Sequence, residues 1–291
     1  MSKTSLTESI KQIAVIGSGQ MGSGIAQTFA TFGYSVSLYD ANPQALEKGV
    51  QQIDKQLSRN VEKQKITEEK RKEIFSKITT ISKLADLSNA DCVIEAIVEQ
   101  FEAKKALFSE LDSICKKSAL FASNTSSISI TKLAHTTKRP EQFIGMHFMN
   151  PVPVMELVEV IRGLQTSDTT YETTLELAKT IEKTTVTAHK DYPGFLVNRI
   201  LIPMLNEAIF VLMEGIATPE EIDLAMKLGT NHPMGPLELA DFVGLDTCLS
   251  ISQILHRELG DDKYRPCPLL TKYVEAGWLG KKVGRGFYNH K

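Results

Sequence analysis

Short apolar runs alternate with longer stretches whose apolar residues recur three and four apart over roughly the first 190 residues. Ile13-Ala14-Val15-Ile16 reads as a buried strand. Ile25, Ala26, Phe29 and Ala30 follow at helical spacing, and Gly33 stands where that helix would be capped. Residues 35–39 alternate and read as a second strand. Residues 43–77 are polar, lysine-rich and helical, longer than one crossover helix needs. They predict two antiparallel helices joined near Gln64. Further strands are predicted at 77–81, 92–96 and 119–123, with a helix over 101–115 carrying Leu107, Phe108, Leu111 and Ile114. Phe143 to Met146 reads as another, followed by 154–161 and 184–188, with a helix over 169–183 between the last two. This alternation predicts an α/β fold with a doubly wound, mainly parallel sheet and a helical hairpin insertion.

The pattern changes at Asp191-Tyr192-Pro193-Gly194. Residues 195–213 are strongly apolar at helical spacing, enough to pack on two sides, a second subunit among the candidates. Thr218-Pro219-Glu220-Glu221 has the form of a capping box with proline at the first helical position. Helices are predicted over 235–259 and 266–276, and no strand. The expected division is therefore residues 1–191, an α/β domain, and residues 192–291, an all-α domain.

Composition narrows the function classes. The 291 residues exceed one typical core, and 42% hydrophobic with 23% charged content is ordinary for a globular protein. A net charge of -2 leaves no nucleic-acid footprint. No run approaches the ~20 apolar residues of a membrane span. Cys92, Cys115, Cys248 and Cys267 form no metal-ligand spacing and read as reduced thiols. The polar start, Met1 to Lys11, resembles neither a secretory signal nor a transit peptide, so a cytoplasmic protein is expected.

The candidate chemistry begins at Gly17-Ser18-Gly19-Gln20-Met21-Gly22. These glycines fall where a strand turns into a helix, the context that gives G-x-G-x-x-G its meaning. Gly17 permits the tight turn, Gly19 lets a pyrophosphate approach the backbone, and Gly22 lets helix and strand pack closely. Asp40 ends the second strand, about 20 residues on, where a carboxylate accepts from ribose hydroxyls and repels an added phosphate. It could also serve as an N-cap for the helix after Pro43; the glycine loop favours the ribose. Three polar stretches fall at predicted strand ends, where such sheets bind ligands: Glu99, Asn124 to Ser127, and His147. Arg59, Lys63 and Lys65 cluster at the tip of the predicted hairpin; such a run is usually a solvated face, but a polyphosphate would want it.

In this order and spacing, several motifs resemble the L-3-hydroxyacyl-CoA dehydrogenase family over nearly the whole chain. They are Val15 to Gly22, Ser123 to Ser127, Gly145 to Pro151, Pro193 to Arg199, His232 to Pro236, and Gly280 to Tyr288. The resemblance implies NAD as cofactor and an acyl-CoA substrate. The doubly wound first domain is then of Rossmann type, and the apolar stretch over 195–213 of the helical second domain predicts a two-fold homodimer. Residue by residue, the resemblance places the catalytic histidine on His147 and its paired glutamate on Glu159. The substrate-binding serine and asparagine fall on Ser126 and Asn198. Cofactor contacts fall on the glycine loop, Asp40, Glu99, Lys104, Ser126, Asn150 and Lys282, and coenzyme A contacts on Arg59, Lys63 and Lys65. Glu156 stands where the family pattern has lysine, a reversal with no evident reason.

Histidine suits removal of a hydroxyl proton because its ordinary pKa lies near neutrality. Local pattern alone does not pair it with Glu159. A simple hairpin about Pro151 would set His147 opposite Met155, leaving Glu159 some ~13 Å away along the strand. Ser126 has a second reading as a helix cap, with a helix predicted near Ser129. Two other functions compete: a different two-domain nicotinamide enzyme, which would use a catalytic lysine, and a non-catalytic descendant of a dehydrogenase. The intact catalytic positions speak against the second.

Overall fold

The computed structural model describes residues 10–290; residues 1–9 of the polar start and the last residue lie outside the described residues. The chain divides into two compact units, the first ending at Asp191 and the second starting at Tyr192.

The first unit is built on an eight-stranded sheet. Its strands are β1 (Gln12–Ile16), β2 (Ser35–Tyr39), β3 (Ile78–Ile81), β4 (Cys92–Glu95), β5 (Leu120–Ser123), β6 (Phe143–Phe148), β7 (Leu157–Ile161) and β8 (Thr184–Ala188). They lie in the order β3-β2-β1-β4-β5-β6-β7-β8. Pairing is parallel except between β6 and β7. The central strands are mainly apolar because both faces of the sheet are covered, with Glu95, Ser123, His147 and Glu159 as buried polar positions. On one face Ile13, Val15, Leu38, Ile94 and Met146 join Ile25 and Phe29 of α1 (Gln20–Thr31) in a single core. Phe108 of α4 (Phe101–Ile114) packs edge-on against Phe143, with ring centroids 4.6 Å apart.

The polar insertion forms two helices, α2 (Pro43–Glu62) and α3 (Glu68–Ser76). Gln64 turns between them in the left-handed region, φ 57. Asn42 caps α2 by accepting from the amides of Gln44 and Ala45, so Asp40 is not that cap. A short helix, α5 (Ile130–Ala134), starts after Ser129, whose side chain accepts from the Lys132 amide. The cap is thus Ser129 and not Ser126. The last helix of this unit, α6 (Asp168–Thr180), connects β7 to β8.

The predicted strand at 154–161 is shortened to β7 at its start. Residues 149–156 instead form a wide connection, held by the Lys183 ammonium, which donates to the carbonyls of Val152 (2.8 Å) and Met155 (2.7 Å). This connection displaces the centre of the hairpin from residue 151 to residue 153. The simple hairpin about Pro151 is therefore replaced by a register that sets His147 opposite Glu159.

The second unit comprises α7 (Val197–Met213), α8 (Pro219–Gly229), α9 (Pro236–Val243), α10 (Leu245–Leu259) and α11 (Pro268–Glu275). Ile202, Leu205 and Ile209 of α7 meet Leu237, Leu245, Cys248 and Leu270 in its core. The capping box at Thr218 and Glu221 is formed. The predicted helix over 235–259 is broken in two at Gly244, whose φ of 101 takes the backbone out of the helical region. Buried Asp241 accepts from the amides of Phe287 and Tyr288 and pairs with the His290 ring, fastening the tail.

Candidate active site

The glycine loop joins β1 to α1 at the carboxyl end of the sheet. Gly17 has φ 97, and a Cβ there would meet the Ala96 carbonyl oxygen at 2.5 Å. A Cβ on Gly22 would lie 1.8 Å from the Gly17 carbonyl oxygen. Gly19 differs: nothing lies within 4 Å of its Cβ direction, and it is exposed. It is also the N-cap of α1, with no side chain bonded to the helix's first amides and no acidic residue in the first turn. Those amides and the helix dipole offer a place for phosphate oxygens. Exposed Gln20 and half-buried Met21 open the helix. These features fit a dinucleotide.

Asp40 stands beside this loop at the end of β2. Its Oδ2 accepts from the Ser18 amide and hydroxyl, each at 2.8 Å, and its Oδ1 from the Asn42 amide at 2.9 Å. The carboxylate thereby fixes the position of the loop's serine.

His147 near the end of β6, Glu159 in the middle of β7 and Ser126 in the turn after β5 form a line. His147 Nδ1 lies 2.7 Å from Glu159 Oε2, and His147 Nε2 lies 3.1 Å from Ser126 Oγ. Glu159 is fully buried and His147 nearly so. An ionised carboxylate only accepts, so it holds the imidazole with Nδ1 protonated. Nε2 then presents its lone pair toward Ser126. Such a ring can take a proton at Nε2 while the carboxylate behind it stabilises the resulting charge.

Glu99 organises the turn that carries Ser126. Its Oε1 accepts from the Thr125 hydroxyl (2.5 Å), the Ser126 amide (2.8 Å), and the Ser127 amide and hydroxyl (3.1 and 3.0 Å). Burial pushes this carboxyl upward, but Lys104 and these donors outweigh it and hold it below the usual carboxylate range. Lys104 is buried, 1% exposed, and pairs with Glu99 Oε2 at 3.2 Å. Asn124, read from the sequence only as part of a ligand-binding stretch, accepts the Phe148 amide at 2.8 Å and so fixes the residue after His147. The signal for it was its place in the polar stretch after β5.

Asn150 is exposed in the connection after β6. Arg59, Lys63 and Lys65 are exposed at the α2–α3 tip, and none has an ion-pair partner among the described residues. In the second unit, half-buried Asn198 is in the first turn of α7, and the Lys282 ammonium pairs with Asp246 at 2.6 Å. Exposed Glu156 precedes β7, and its charge favours the protonated form of Lys183 against burial.

Residues 12–192 match the family model described as 3-hydroxyacyl-CoA dehydrogenase, NAD binding domain. Residues 194–290 match the model for the C-terminal domain of the same family. The chain is 58% identical to a probable 3-hydroxybutyryl-CoA dehydrogenase of Bacillus subtilis, over 97% of this chain and 98% of that protein. It is 56% identical to a 3-hydroxybutyryl-CoA dehydrogenase of Bradyrhizobium diazoefficiens, over 97% and 96% of the two chains. The crystal structure of (S)-3-hydroxybutyryl-CoA dehydrogenase from Ralstonia eutropha superposes with a TM-score of 0.93 at 49% identity, covering 97% of this chain and 99% of that one. With both domains matched in order, a glycine loop fit for a dinucleotide and an imidazole backed by a carboxylate, the chain belongs to the 3-hydroxyacyl-CoA dehydrogenase family of oxidoreductases and carries that family's NAD-binding domain.

Proposed function

We propose that this enzyme oxidises short-chain (S)-3-hydroxyacyl-CoA, 3-hydroxybutyryl-CoA above all, to the 3-ketoacyl thioester, and runs the reverse reduction. The observation that carries the reading is the Glu159–His147–Ser126 line across β7, β6 and the turn after β5. The relatives' names narrow the substrate to the four-carbon thioester.

NAD, when bound, supplies the hydride acceptor. The glycine loop from Gly17 to Gly22 receives its phosphates and Asp40 its adenosine ribose, while Glu99, Lys104, Ser126, Asn150 and Lys282 line the rest of the cofactor site. Ser126 and Asn198 hold the substrate oxygens. His147 takes the hydroxyl proton at Nε2, and Glu159 steadies the imidazolium. In reduction His147 returns that proton to the keto oxygen. Arg59, Lys63 and Lys65 meet the phosphates of coenzyme A from the hairpin tip, the lysines as point charges and the arginine as a planar fork of donors. Four buried free cysteines fit a reducing, cytoplasmic setting. No helix among the described residues is long and apolar enough to cross a membrane. The helical unit serves as a homodimer interface.

The test is oxidation of NADH by the full-length protein with acetoacetyl-CoA. Turnover that is stereospecific for the S product supports the reading. Absence of turnover, or equal turnover with keto acids lacking coenzyme A, would overturn it.

A further inference from the structure

A carboxylate at the end of β4 is left unused by the chemistry above. Glu95 is 0% exposed, at the end of a strand that is otherwise Cys92-Val93-Ile94. Its Oε1 accepts from the Ile97 amide (2.7 Å) and the Lys104 ammonium (2.5 Å). Its Oε2 accepts from the Ser123 hydroxyl at 2.6 Å.

Two routes run from this carboxylate to the reacting groups. In the first, Lys104 links Glu95 to Glu99, and Glu99 gathers the amides and hydroxyls of residues 125–127. In the second, the Ser123 oxygen that donates to Glu95 accepts from the Thr125 amide at 3.2 Å. Both end at the turn whose Ser126 hydroxyl faces His147.

Stability is a poor reason for this arrangement. Taking a carboxylate and an ammonium out of water costs several kcal/mol each, and apolar replacements of like volume are often as stable. Burial pushes the Glu95 carboxyl up from its usual range against the pull of Lys104, Ser123 and Ile97. Orientation is the better reason. Donors on both oxygens leave the carboxylate one arrangement, and the lysine held between two carboxylates loses its rotamer freedom. Reaction rates respond steeply to this, since an error of about 1 Å in a reacting group costs about 10²-fold.

We propose that Glu95 is a positioning residue for the dehydrogenation: through Lys104 and Glu99, and through Ser123, it fixes the 125–127 turn so that the Ser126 hydroxyl meets the substrate oxygen in register with His147. This rests on the roles given above to Ser126 and His147.

A double-mutant cycle on kcat for 3-hydroxybutyryl-CoA oxidation, in the full-length enzyme, tests it. Glu95→Ala should lower kcat by about 10²-fold, and Glu95→Gln, which keeps the shape without the charge, by about 10-fold. In a Ser126→Ala background either change should cost less than about twofold, because residues acting through one another are not additive. A role confined to packing would give effects that multiply. Multiplying effects, or normal kcat in Glu95→Gln, overturn the proposal. If Glu95→Ala does not fold, the Glu95→Gln cycle decides alone. If Ser126→Ala itself leaves kcat unchanged, the site reading falls and this inference with it; if Ser126→Ala slows turnover but the cycle is additive, only this inference falls.

Discussion

His147 and Glu159 are register partners across the antiparallel step between β6 and β7, and their side chains meet at 2.7 Å on one face of the sheet. Directly opposed residues of an antiparallel pair project to the same side, so the strand pairing itself delivers the carboxylate to the ring. The partner oxygen of Ser126 arrives on β5's trailing turn, from the parallel side of β6.

If His147 is the general base, His147→Gln should lower kcat by about 10² to 10⁴-fold while NADH binding persists. Oxidation of the hydroxyacyl thioester needs the neutral ring, so its rate should rise with pH. Reduction needs the protonated ring, so its rate should fall over the same range. Both directions are measured in one buffer series. Slopes of the same sign, or near-normal turnover in His147→Gln, would show that another group moves the proton.

Asp40 should favour NAD over NADP, since its carboxylate lies beside the loop at the end of β2. Asp40→Ser should narrow the preference measured as a ratio of kcat/KM values. Equal efficiency with the two cofactors in the unaltered enzyme contradicts the assignment.

Replacing Arg59, Lys63 and Lys65 together by glutamine should raise KM for the coenzyme A thioester and flatten its dependence on salt, with kcat little changed. A substrate truncated at pantetheine lacks the nucleotide phosphates and should be indifferent to the substitutions. Equal responses from the two substrates would remove these residues from the coenzyme A site.

Glu99 carries a pH-dependent share of stability. Its folded-state pKa lies below the ordinary 4.5, so its contribution is complete above that value and is lost as pH falls through the lower folded one. The stability gap between the wild type and Glu99→Gln, taken from urea titrations, should therefore shrink between about pH 6 and about pH 3. A gap that stays constant over that range would mean that Glu99 is not held ionised by the turn.

The helical unit leaves Ile200 71%, Leu228 78% and Ile216 66% exposed on α7, α8 and the segment between them. A two-fold pairing through this unit would cover such residues. Light scattering at micromolar concentration should give twice the chain mass, and Ile200→Glu should halve it. A monomeric mass for the unaltered protein would end this reading.

The sequence by itself determined what neighbouring residues control. The glycine loop, the turn at Gln64 and the capping box at Thr218 depend on backbone conformations and partners a few residues apart, and each formed where its residues predict. The covered sheet was equally legible, because strands buried on both faces read as mainly apolar runs. Tertiary structure decided the rest. Register between β6 and β7 goes with how residues 149–156 are held, by turn bonds to the Pro151 carbonyl and by Lys183, far along the chain. A centre of residue 151 separates His147 from Glu159; a centre of residue 153 joins them. The break at Gly244 is likewise invisible to periodicity, since the apolar spacing runs on through a positive φ. Glu95 lay hidden for the same physical reason. A carboxylate in an apolar strand reads as a strand end, and only the fold brings Lys104 and Ser123 to its two oxygens.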